Sequence, residues 1–135
     1  AALQTPGTVD EGGHRDRQGS LSGASMDLDA RIFVAGTGGM IGSALVRCLR
    51  ARGCRNLLTP TRRELDLLDQ RAVRSFFETE RPEYVYLAAG RSGGVYANNT
   101  YRADFLYENL VIQSNVLHHA FLSEVRKLLF FGRAK

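Results

Sequence analysis

The chain has 135 residues, 44% of them hydrophobic, and a formal net charge of +4. That length suits one domain with a modest core, and no apolar run reaches the roughly 18 residues of a membrane-spanning helix. Its two cysteines, Cys48 and Cys54, show no metal-type spacing and follow no secretory leader, which points to reduced thiols in the cytoplasm.

Charge divides the chain. Residues 1–30 carry two basic and five acidic side chains, a net of −3. Residues 31–135 carry 16 basic and nine acidic, a net of +7, and 14 of the 16 are arginine. Such a body suits an anionic partner: a nucleotide, a nucleic acid or a phosphorylated metabolite. Residues 1–30 are small, polar and glycine-rich with no hydrophobic period, so they read as a disordered leader, with Met26 just ahead of the first regular segment. They lack the arginine-rich, acid-poor character of a transit peptide.

From Arg31 the pattern is regular. RIFVA is a short apolar strand that runs into a glycine cluster. MIGSALVRCLRARG then sets Ile41, Ala44, Leu45, Cys48 and Leu49 on one helical face, which predicts a buried Cys48, and Gly53 is a stop signal. NLLT reads as a second strand and ELDLL (64–68) as a short third. DQRAVRSFFETERP starts with an aspartate cap, buries Val73, Phe76 and Phe77, and ends at Pro82. EYVYLAA is a fourth strand, residues 103–125 a long helix, and KLLFF a fifth, buried strand. Alternation of this kind predicts an α/β, doubly wound parallel sheet of Rossmann type, with five strands and the first one central.

The strongest local signal is VAGTGGMIGSA, a strand that turns through glycines into a helix. In G-x-x-G-x-x-G the first glycine, Gly36, permits a tight turn; Gly39 lets backbone approach a pyrophosphate; Gly42 lets the helix pack closely. The helix start then offers free N–H groups to phosphate. The plain alternative is a structural turn, but the strand before and helix after supply the context that the dinucleotide motif requires. After the second strand an NAD site wants a carboxylate for the ribose 2′-hydroxyl, and an NADP site wants arginine for the 2′-phosphate. LLTPTRREL offers Arg62 and Arg63 with no acid before Glu64, so NADP is favoured over two merely solvated arginines.

RIFVAGTGGMIGSALVR, TRRELDLLD, VYLAAGRSGGVYANNTYRADFLYEN and KLLFFG together resemble the GDP-L-fucose synthases. These are extended short-chain dehydrogenase/reductases of the NAD-dependent epimerase/dehydratase kind. The likeness runs through 31–132 without a gap. It implies a fold that binds NADPH and an activity that epimerises and reduces GDP-4-keto-6-deoxy-D-mannose to GDP-L-fucose. It further implies that Gly36, Thr37, Gly38, Gly39, Met40, Ile41 and Gly42 form the pyrophosphate loop and that Arg62 takes the 2′-phosphate. Asp66 and Leu67 fall beside the adenine, and Leu87, Ala88, Ala89 and Gly90 on the ribose side. The helix over 103–125 falls in a homo-oligomer interface.

This chain also departs from the family pattern. Thr37-Gly38 stand where the family usually has His-Arg, Gly90-Arg91 where it has Ala-Lys, and Arg102 where proline is common. Arg133, Ala134 and Lys135 occupy the positions of a Ser-Ser-Cys run that holds the family's catalytic serine, and no Tyr-x-x-x-Lys occurs anywhere in the 135 residues. The expectation is therefore an N-terminal, cofactor-binding portion with no catalytic residue, inert as written and reaching a GDP-sugar only in a complete homologue. The alternative is a non-catalytic nucleotide-binding or dimerisation module.

No other residues form a convincing catalytic or metal set. His118 and His119 are adjacent on a helix and point to different faces, so they do not grip a metal together. Ser92 and Ser114 have no base at a recognisable spacing, and Tyr84, Tyr86, Tyr96, Tyr101 and Tyr107 have no lysine four residues on. The basic body lacks the interleaved aromatic platform of a nucleic-acid binder.

Overall fold

The computed structural model describes residues 27–91 and 100–132. Residues 1–26 of the leader expected over 1–30, together with Ser92, Tyr96, Arg133, Ala134 and Lys135, lie outside the described residues. In chain order the elements are β1 (Arg31–Ala35), α1 (Met40–Ala51), β2 (Asn56–Leu58), α2 (Gln70–Glu80), β3 (Tyr84–Leu87), α3 (Arg102–Leu122) and β4 (Lys127–Phe130). The strands form one parallel sheet in the order β2-β1-β3-β4, so β1 is interior as expected. Ala35 pairs with Leu87 and Leu87 with Phe130, which brings the ends of β1, β3 and β4 level at one edge of the sheet.

Both faces of β1 are covered, and its sequence shows it: Ile32, Phe33, Val34 and Ala35 are all buried. Alternate side chains go to opposite faces. Ile32 and Val34 pack with Val46, Leu49 and Cys54 beneath α1. Phe33 and Ala35 pack with Val73, Phe77, Val116 and Ala120 beneath α2 and α3. The aromatic part of that layer is ordered edge-on, with Phe33 and Phe77 centroids 5.8 Å apart at 85°.

α2 begins where the sequence placed it. The Asp69 carboxylate accepts the N–H groups of Arg71 (2.9 Å) and Ala72 (3.3 Å), and the helix ends with Arg81 in the left-handed conformation, its N–H on the Phe77 carbonyl. Val73 and Phe77 are buried and Phe76 partly so. At the end of the sheet opposite the helix-start loops, Glu83 accepts from the Arg31 N–H at 3.0 Å, and Arg31 pairs with Glu80 at 2.6 Å.

Four expectations are corrected. The sheet has four strands among the described residues, not five, because 64–68 forms turns. There the Glu64 carboxylate reaches back to the Thr61 N–H (2.7 Å), and the Leu65 N–H bonds to the Thr61 carbonyl (2.9 Å). A capping-box pattern thus uses locally the groups that a strand would offer to a ladder. Second, Cys48 is exposed, as are Ile41 and Ala44, while Gly42, Val46 and Leu49 face inward and Cys54 fills the core. Apolar residues cover so much of α1 that period alone does not select its inner face; the close approach at Gly42 does. Third, β4 is an edge strand with Leu129 46% and Phe130 40% exposed, not a buried one. Fourth, packing begins before residue 31. Ala30 is buried, the Arg55 N–H bonds to the Leu28 carbonyl, and the Asn56 amide donates to the Asp29 carbonyl at 2.6 Å.

Candidate functional site

Between β1 and β3 the connections leave in opposite directions, and at such a switch point the loops beyond the strand ends open a crevice. A cleft of about 510 Å³ lies there, a size that suits a small-molecule ligand. Three loops line it: Gly36, Thr37, Gly38 and Gly39 after β1; residues 60–62 and 65–68 after β2; and Ala88, Ala89, Gly90 and Arg91 after β3.

The first loop is built around Gly36, whose φ of +92° suits glycine. A Cβ there would lie 2.6 Å from the Ala89 backbone, so the β1 and β3 loops meet at this point. A Cβ on Gly42 would overlap the Gly36 carbonyl oxygen, so α1 starts hard against the same turn. Gly38 has nothing within 4 Å of its would-be Cβ, and Gly39 only the Gly36 oxygen at 3.6 Å. The protein itself therefore requires glycine at 36 and 42, and leaves open space at 38 and 39. α1 has no side-chain cap and no acid in its first turn. Its first N–H groups are without helical partners, and its dipole favours an anion.

The second loop presents Arg62 on the cleft, exposed and with no ion-pair partner among the described residues. Glu64 is turned away onto the Thr61 N–H. Asp66 is exposed and closes its own turn by accepting the Leu68 N–H at 3.0 Å. Leu67 is half-buried on the wall.

Of the residues expected from sequence, Gly36, Thr37, Gly38, Gly39, Arg62, Asp66, Leu67, Ala88, Ala89 and Gly90 line the cleft. Leu87 does not; it is fully buried in the core. Met40, Ile41 and Gly42 are not part of the lining either, and Met40 is 83% exposed at the helix start. What they bring to that place is backbone.

Sequence reasoning missed the third wall's support. Arg91 donates to both Glu108 carboxylate oxygens (2.5 and 2.7 Å) and lies 5.5 Å above the Phe105 ring. Its guanidinium pKa is raised, first by that hydrogen bond and then by the Glu108 charge. Asn109 bonds to both backbone groups of Arg91. These partners are 17 and 18 residues from Arg91, a separation at which no local pattern signals a contact. Arg91 and Glu108 also line a second hollow of about 660 Å³ beside Tyr101 and Tyr107.

No group of metal-ligating side chains occurs among the described residues. His119 is buried, its Nδ1 on the Asn115 carbonyl at 2.8 Å, while His118 is exposed. No helix among the described residues is long and apolar enough to cross a membrane.

The family model "NAD dependent epimerase/dehydratase family" matches residues 32–134. The chain belongs to that family. Among its curated relatives, the GDP-L-fucose synthase of Escherichia coli K12 is 55% identical over 76% of this chain and 32% of its own length. A putative GDP-L-fucose synthase 2 of Arabidopsis thaliana is 50% identical over 92% of this chain and 37% of its own. This family member thus spans about a third of the length of those relatives. A GDP-mannoheptose C4 reductase from Campylobacter jejuni, solved with NADP bound, superposes with a TM-score of 0.76 at 52% identity, covering 80% of this chain and 34% of its own. A GDP-L-fucose synthetase from Naegleria fowleri is only 23% identical, at a TM-score of 0.67, and shares the fold.

Proposed function

We propose that this chain is the NADP(H)-binding portion of a nucleotide-sugar epimerase/reductase whose substrate is a GDP-linked keto sugar. The carrying observation is the pairing on one loop of an unpartnered Arg62 at the cleft with a Glu64 already committed to the Thr61 N–H. The carboxylate next to Arg62 is thus turned away from a ribose 2′-hydroxyl, Asp66 accepts the Leu68 N–H farther along the loop, and a 2′-phosphate finds a guanidinium.

The rest of the cleft fits the same ligand. The uncapped start of α1 suits the pyrophosphate. Gly38 and Gly39 leave room for it, and Asp66 and Leu67 offer a wall for the adenine. When bound, NADPH would supply hydride, and this chain's residues would orient it. The likeness to GDP-L-fucose synthases favours GDP-4-keto-6-deoxy-D-mannose as the sugar; the likeness to a GDP-mannoheptose reductase keeps a GDP-heptose as the competing substrate. Residues 1–135 contain no Tyr-x-x-x-Lys, so this stretch by itself is expected to bind cofactor without turning over the sugar. Residues 1–26 are taken to lie outside the dinucleotide unit, and the site is taken to work in the cytoplasm.

Fluorescence titration of the chain with NADPH and NADH tests the reading. One charge-assisted phosphate contact is worth roughly tenfold or more. Wild type should therefore favour NADPH by at least that factor, and Arg62→Ala should lose the preference. Equal affinity for both nucleotides in the wild type would refute it.

A second reading, a homo-oligomerising module, has its own observation. α3 carries a second apolar stripe, with Leu106 62%, Leu110 51%, Leu117 44% and Phe121 81% exposed. The same stripe supports a homo-oligomer under either reading.

A further inference from the structure

α3 reaches both loops that face each other across the cleft. Asn109 holds the β3 side: its side-chain oxygen accepts the Arg91 N–H at 2.6 Å, and its amide donates to the Arg91 carbonyl at 3.1 Å. Asn115, 9% exposed, holds the other side through its amide, which donates to the Leu67 carbonyl at 2.8 Å. Asn115 does not itself line the cleft.

The loop after β2 is otherwise closed on itself. Thr61 and Glu64 bond reciprocally, the Leu65 N–H returns to Thr61, and the Leu68 and Asp69 N–H groups return to Asp66. These bonds shape the turns but do not fix where the loop sits against the sheet. Leu65 and Leu67 pack on the core, yet apolar contact is non-directional. Among the described residues, the Asn115 bond is the one hydrogen bond that ties this loop to a distant element. Asn115 is itself well seated. Its carbonyl receives the His119 ring N–H, and His119 stacks on Phe77 with centroids 6.5 Å apart.

We infer that Asn115 is a positioning residue for cofactor choice: through Leu67 it fixes the loop that presents Arg62, and so sets discrimination between NADPH and NADH without touching either. The inference rests on the NADP reading above. Asn109 supplies the contrast, because the wall it holds would be met by both dinucleotides alike.

The test uses the full chain as wild type, Asn115→Leu, Asn115→Ala and Asn109→Leu, with Asn115→Ala replacing Asn115→Leu should the latter not fold. Each is titrated with NADPH and with NADH by nucleotide fluorescence. Exchange of the Leu65, Leu68 and Asp69 amides is measured without nucleotide. Removing the Asn115 donor should cut the NADPH-to-NADH affinity ratio by roughly tenfold, the scale of one phosphate contact, and should speed exchange in the loop. Asn109→Leu should weaken both nucleotides while keeping the ratio. A folded Asn115 variant with the wild-type ratio, or with unchanged loop exchange, overturns the positioning role. Wild type that binds neither nucleotide overturns the NADP reading, and the exchange data then still show whether the loop is held by Asn115.

Discussion

Gly36 and Gly42 shape the cleft through the side chains they lack. Adding a methyl at Gly42 drives Cβ into the Gly36 carbonyl and the Thr37 backbone, neither of which can rotate away. Gly42→Ala should therefore lose about 1–3 kcal/mol or more, the scale of an overpacked site, read as a lower urea midpoint. Gly38→Ala meets nothing, and its stability should stay within about 0.5 kcal/mol of wild type. Equal losses at both positions would contradict the close contact of Gly42 with the Gly36 carbonyl. Tyr86 gives a pH-dependent counterpart. Its pKa is raised, chiefly by burial and next by the nearby Cys54. The folded state thus keeps the phenol proton longer than the unfolded chain. Stability is unaffected below the ordinary tyrosine pKa near 10 and falls as pH rises above it. Tyr86→Phe should flatten part of that alkaline loss, measured by thermal melts across the pH range.

At the scale of elements, what matters is how each helix is fixed at its start. α2 is held by the Asp69 carboxylate, two hydrogen bonds from one side chain. Asp69→Ala should cost about 1 kcal/mol, within the usual range of roughly 0.5–2 for a lost cap. It should also speed exchange at Arg71 and Ala72. α1 is built the opposite way: its start has no side-chain cap and no acid, which leaves N–H groups open to an anion at some cost in helix stability. Two helices of similar length thus differ at the one end that matters for binding. α3 differs again, since it serves as a brace: Asn109 and Asn115 on its inner side hold both loops across the cleft.

For the molecule as a whole, the outer side of α3 is an apolar surface that the described residues leave uncovered. Its inner side buries Val116 and Ala120, while Leu106, Leu110, Leu117 and Phe121 recur at helical spacing on the outer side and are exposed. A helix that buries one apolar stripe and exposes a second has the character of an interface element. β4 adds a strand edge unpaired among the described residues, with Leu129 and Phe130 partly exposed, a template for pairing. Light scattering should report concentration-dependent dimers or larger species, and Leu110→Glu with Leu117→Glu should shift the distribution toward monomer while leaving NADPH binding intact. A wild-type monomer at every concentration would count against the α3 interface.

The sequence by itself determined the β-α alternation, the glycine turn after β1, the Asp69 cap and the arginine pair after β2, because each is written within a few consecutive residues. Turn chemistry, capping and hydrophobic period are local, and local rules suffice to read them. The same rules mistook 64–68 for a strand, since alternating leucines look alike whether they meet a ladder or pack above a self-closed turn. They also set the inner face of α1 partly wrong: Leu49 and Leu45 do meet the core, but Ile41, Ala44 and Cys48 are exposed and Gly42 and Val46 face inward, since the apolar arc of α1 is wider than the face it buries. The supports of the cleft were decided by tertiary structure alone. Arg91 meets Glu108 across 17 residues and Asn115 meets Leu67 across 48. Contacts at such separations depend on how the sheet and helices pack, and no short stretch of sequence encodes that packing.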